Sequence, residues 1–100
     1  MQTLLGRLLK NEILTKEQVQ LEHDQLAKRL EILHMHEKIS IDAFLAAGAI
    51  QGGLEILSTL VGLNVEREEV IRHLNSMLER AARIHEAHPG LNQAIEELEL

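Results

Sequence analysis

Between Ile41 and Leu63 the chain carries only two charges, Asp42 and Glu55, and from Ala43 to Leu54 it runs twelve residues without one. On a helical wheel the polar residues of this stretch (Gln51, Glu55, Ser58, Thr59) fill a narrow arc and apolar or small side chains fill most of the rest. A surface helix needs only one apolar stripe. The uninterrupted run is also shorter than the ~18–20 apolar residues that span a bilayer. The segment therefore predicts a buried helix over about 41–62, without membrane insertion, at the centre of the fold.

The remaining composition supports an all-α class. Nineteen Leu and nine Ala stand against one Phe (Phe44), no Trp and no Tyr, a set rich in helix formers and poor in the aromatic residues that sheets favour. With 45% apolar residues the chain is too hydrophobic for intrinsic disorder. A length of 100 residues fits one domain or one protomer of an assembly. The absence of Cys excludes disulfides, thiolate zinc sites and cysteine nucleophiles.

Start and stop signals divide the chain into five helical segments, expected at about 3–10, 15–38, 41–62, 65–87 and 92–99. Thr15 and Gln18 form a capping-box pattern at the head of the second. Ser40 is placed to cap the third, with Asp42 in its first turn where the helix dipole favours an anion. Gly62 is the expected stop of the third and Asn64 the expected cap of the fourth. His88-Pro89-Gly90 ends the fourth. The second helix has two apolar stripes: Val19, Leu26, Leu30 and Leu33 on one, Leu21, Ile32, Met35 and Ile39 on the other. It should be contacted from two sides, the second stripe serving a dimer or a partner. The fourth has one clean stripe through Val70, Leu74, Met77, Ala81 and Ile84.

The third segment also carries a ladder of small residues. Gly48 and Gly52 are four apart, and Ala49 and Gly53 repeat the spacing one residue on. A mid-helix Gly costs about 1 kcal/mol relative to Ala, while small residues at i and i+4 let another backbone approach closely. The ladder predicts a tight helix crossing; the competing expectation is that Gly52-Gly53 breaks the helix into a hairpin. Apolar surface beyond one stripe on two helices, in a chain this short, predicts completion of the four-helix, bundle-like protomer by homodimerisation.

Six His are the main compositional oddity. Glu31 and His34 have the Glu-x-x-His spacing used by di-iron bundles, and His85 and His88 extend the inner stripe of the fourth helix. A site from Glu31, His34, His85 and His88 is the alternative, metal-binding reading. Against it stand a single Glu-x-x-His motif and no carboxylate within the inner stripe of the fourth helix. The primary expectation is that the chain holds no metal and no cofactor. A further expectation is pH sensing, since six protonated His would offset the net charge of −6.

No Gly-rich loop follows a strand, and neither a Walker pattern nor a nucleophile elbow is present, so no catalysis is expected. Ten Lys and Arg against sixteen Asp and Glu disfavour nucleic acid, whose affinity comes largely from basic side chains. No signal-peptide layout opens the chain, which gives a cytoplasmic expectation. The segment Leu5-Gly6-Arg7-Leu8-Leu9, followed by Ile13-Leu14-Thr15-Lys16-Glu17-Gln18-Val19, resembles the opening of the amino-terminal domains of type II secretion and type IV pilus ATPases. The resemblance ends at Val19, lacks the basic residue before Leu5-Gly6 where Leu4 stands, and brings no nucleotide-binding function with it.

The sequence thus points to a small protein–protein interaction module: an adaptor, chaperone-like or regulatory protein with itself and an unidentified protein as partners. Its expected contact residues are Leu21, Ile32, Met35 and Ile39, the glycines Gly48, Gly52 and Gly53, and Leu98 and Leu100 of an acidic, amphipathic tail.

Overall fold

The computed structural model describes residues 1–98. It consists of α1 (Gln2–Lys10), α2 (Lys16–Met35), α3 (Ile41–Gly62), α4 (Arg67–Ala87) and α5 (Leu91–Glu97), with no strand among the described residues. The radius of gyration is 13.3 Å, the size of a compact chain of this length. The all-α class is as the composition predicted.

Local chemistry sets the helix ends, and in two places it differs from the sequence expectation. Thr15 caps α2 with the reciprocal box foreseen: its hydroxyl accepts from the Gln18 N–H, and the Gln18 side chain accepts from the Thr15 N–H. Ser40 caps α3 through the Ala43 N–H. α2 stops at Met35, three residues early, because Glu37 takes a left-handed φ of 55°. The Lys38 N–H then reaches the Leu33 carbonyl and the Glu37 N–H the His34 carbonyl, the paired bonds of a Schellman stop. α3 ends the same way at Asn64, with φ of 57° and bonds from Val65 to Leu60 and from Asn64 to Val61. Asn64 therefore closes α3 rather than opening α4, and Gly62 is the last residue inside the helix. α4 begins at Arg67 after Glu66, which makes no side-chain cap bond.

Short connections force consecutive helices antiparallel. His34 of α2 stacks on Phe44 near the start of α3, and Lys16 at the other end of α2 lies against Gly62. α4 returns along the opposite side of α3, with Met77 against Gly53. α1 packs on α4, and Arg7 reaches Glu22 of α2 at 3.0 Å. The core between these helices is aliphatic, with Leu5, Val19, Leu26, Leu30, Ile50, Leu54, Leu57 and Leu74 fully enclosed.

Two arginines fasten the short helices. Arg67 donates to the Leu9 carbonyl at the end of α1, 3.1 Å away. Arg29 donates to the Ile95 and Leu98 carbonyls at the end of α5. Each places a cation on orphan carbonyls at a helix C-terminus, where the dipole favours positive charge. α5 covers part of α2, but not the expected second stripe: Leu21 and Met35 remain exposed, and Ile32 and Ile39 are half-buried.

α3 is not the enclosed centre that its composition suggested. It is one wall of the bundle, open on the side away from α1. Ala43, Ala47, Ile50, Leu54 and Leu57 face inward, while Ile41, Leu45, Ile56 and Leu63 face out. It is long and apolar enough by length and composition to cross a membrane, yet only 33% of its most apolar window is buried in the fold. A helix lined by one neighbour on each side can bury only its inner arc, and none of the described residues covers the outer one.

Candidate interaction surface

The outer face of α3 follows from helical periodicity. At 100° per residue, Ile41, Leu45, Gly48, Gly52, Ile56, Thr59 and Leu63 fall within a narrow strip along one side of the helix. The structure leaves the large members of this strip exposed: Ile41 64%, Leu45 65%, Ile56 55% and Leu63 70%. Twenty-two residues at 1.5 Å each give the strip a length of about 33 Å. Singly exposed apolar residues are ordinary. Four large ones in line on one helix, with no charge between them, form a continuous apolar surface.

Three glycines on α3 have two different settings. A Cβ on Gly48 or Gly52 would meet nothing within 4 Å, whereas one on Gly53 would come within 2.9 Å of Met77 Cε and 3.2 Å of Met77 Cγ. Gly53 is thus where α4 closes on α3. The same contact brings His73 Nε2–H to the Gly53 carbonyl at 2.8 Å. A missing side chain at 53 lets the ring approach the backbone, and this bond fixes its tautomer. The helix runs unbroken through Gly52-Gly53, so the hairpin expectation is not met. Gly48 and Gly52 have no packing reason within the chain.

Beside the strip, α3 and α4 frame a groove of about 490 Å³ whose lining includes Ala49, Gly52, Gly53, Glu55, His73, Met77 and Arg80. A second groove of about 350 Å³ lies towards the α4 C-terminus, between Ala46 and Arg80, Arg83 and Ile84. Neither Arg80 nor Arg83 has a carboxylate within ion-pair distance among the described residues. Glu31 on α2 and Glu55, which lines the larger groove, are exposed and equally without an ion partner among the described residues.

The other expected site residues are scattered. Leu98 is half-buried against the core beside Arg29, away from the outer strip. Leu100 lies outside the described residues. Glu31, His34, His85 and His88 are not gathered: His34 stacks on Phe44 with ring centroids 4.4 Å apart, and His85 contacts Asn92. Among the described residues no group of three or more His, Asp or Glu is placed to hold a metal ion.

Sequence reasoning singled out Gly48 and Gly52 but missed Ile41, Leu45, Ile56 and Leu63. The signal was available: stepping by three and four residues in both directions from Gly48 and Gly52 reaches each of them. In a segment apolar on every side, nothing in the sequence separates them from core residues. Compared with protein families, curated proteins and solved structures, the chain gives no significant match.

Proposed function

We propose that this chain is a small, non-enzymatic cytosolic interaction module that acts through helix faces as a homodimer, in the manner of an adaptor, chaperone-like or regulatory protein. The observation that carries the proposal is the outer face of α3, which leaves Ile41, Leu45, Ile56 and Leu63 in water around two glycines where an added Cβ would meet nothing within 4 Å among the described residues. Exposed apolar surface of this extent favours association. Open glycines at i and i+4 lower helix stability and become useful when a second backbone packs on them. Towards a reaction, the grooves offer little: His73 in the larger one already uses Nε2 on the Gly53 carbonyl.

Native mass spectrometry of the untagged chain, purified without chelator or added metal, tests the proposal. A metal-free mass of two chains is the expected result, converted to one chain by Gly52→Leu and retained by His34→Ala. A single-chain mass at every concentration, or stoichiometric metal lost with Glu31→Ala, would overturn it.

A further inference from the structure

We infer that the occupant of the outer α3 face is a second copy of this chain, with the two α3 helices side by side and parallel about a two-fold axis along their length. This rests on the interaction reading above and adds the surface, the partner and its direction.

The inference comes from the charges on either side of the strip. On the α4 side stand Arg80 and Arg83, lining the grooves beside Ala46, Ala49 and Gly52. On the α2 side stands Glu31, while Glu55 of α3 lines the larger groove with Arg80 and His73. The two arginines and Glu31 thus lie on opposite flanks, and all three side chains lack an ion partner among the described residues. A bilayer surface selects basic residues around an apolar strip, and here Glu31 and Glu55 stand beside it on a chain of net charge −6. A surface that is basic on one flank and acidic on the other complements itself.

Heights along the bundle decide the direction. The His34–Phe44 stack fixes α2 against α3, and the Gly53–Met77 contact fixes α4 against α3. Counting from these contacts at 1.5 Å per residue sets Glu31 and Arg83 both level with Ala47, and Arg80 about 4.5 Å along, level with Ile50. A two-fold axis parallel to α3 turns the α4 flank of one copy towards the α2 flank of the other without changing height. Arg80 and Arg83 then face Glu31 of the second copy, twice over. Antiparallel pairing would set the two α4 flanks together and bring the arginines onto one another. Like charges placed together oppose a pairing and opposite charges fix its register. At the centre, Gly48 and Gly52 give the close approach that small residues at this spacing permit.

Sedimentation equilibrium on charge and glycine variants tests this, with circular dichroism confirming the fold of each. Gly52→Leu should weaken self-association by about tenfold or more, since its site is open in the single chain and closed in the pair. Arg80→Glu with Arg83→Glu should weaken it by about tenfold at low salt, less as salt rises. Adding Glu31→Arg to that double variant should restore association. Because the chain has no Cys, single Leu45→Cys and Thr59→Cys variants report direction. A short bis-maleimide should link like variants to one another, whereas an antiparallel pair would link only the mixture. A dimer indifferent to Gly52→Leu and to the charge reversals would overturn the inference and leave the interaction reading standing on another face. Cross-linking only in the mixture would overturn the parallel arrangement. A chain that stays single at all concentrations would overturn both readings, and if it then co-sedimented with phosphatidylcholine vesicles the face would belong to a bilayer.

Discussion

Gly52 and Gly53 are neighbours in sequence, yet they meet different surroundings. A Cβ on Gly53 would press on Met77, and the Gly53 carbonyl receives His73; a Cβ on Gly52 would meet nothing. The same contrast extends along the whole of α3. Its inner arc (Ala43, Ala47, Ile50, Leu54, Leu57) is enclosed, while its outer arc (Ile41, Leu45, Ile56, Leu63) is as apolar and stands in water. One arc is explained by the chain's own packing. The other has no counterpart within the described residues, and it is the surface that the proposed pairing would cover.

Substitutions at matched inner and outer positions should separate the two arcs. The largest difference is expected between Leu54→Ala and Leu45→Ala. The first empties a fully enclosed site and should cost about 2–5 kcal/mol; the second should change the stability of the single chain by less than about 0.5 kcal/mol. Urea denaturation at concentrations low enough to keep the chain single would show it, and equal losses would break the comparison.

Next in size is Gly53→Leu, which must displace Met77 and should cost about 1–3 kcal/mol by overpacking. Thermal unfolding of the dilute, single chain should show a clear fall in Tm for this variant and none for Gly52→Leu. Gly48→Ala and Gly52→Ala should each raise the stability of the dilute chain by up to about 1 kcal/mol, because they remove the entropy penalty of a mid-helix glycine and clash with nothing. If the gain shrinks as concentration rises, the outer arc is closing on a partner. The smallest effect belongs to His73→Ala, which loses one hydrogen bond at the inner contact and should cost about 1 kcal/mol. Self-association should be unaltered. Amide exchange around Gly53 would register the loosened α3–α4 contact.

Much of the architecture could be read along the chain because it is written in local chemistry. Thr15 with Gln18 and Ser40 with Asp42 announce two helix starts, and their bonds form as the residue types require. The apolar stripe of α4, from Val70 to Ile84, has the period of one buried face and is buried as a unit. The helix stops were less legible. A left-handed C-terminal residue is usually Gly, and here Glu37 and Asn64 take that conformation, so Gly62 drew the expectation wrongly. The site was half legible: Gly48 and Gly52 stood out by spacing, whereas the large residues in line with them were hidden within a segment apolar on every side.

The sequence by itself determined that this chain is helical, where most of its helices begin, and that its third helix is apolar around its circumference. Those properties depend on residues within a few positions of one another. Which part of that circumference is covered depends on residues far apart in the chain. Met77 and His73 close on Gly53 from α4, Lys16 and His34 flank the other side from α2, and α1 lies across the core, leaving the line through Gly48 and Gly52 open. Only the tertiary structure decided that, because burial is a property of the neighbours that an apolar side chain finds and not of the side chain alone.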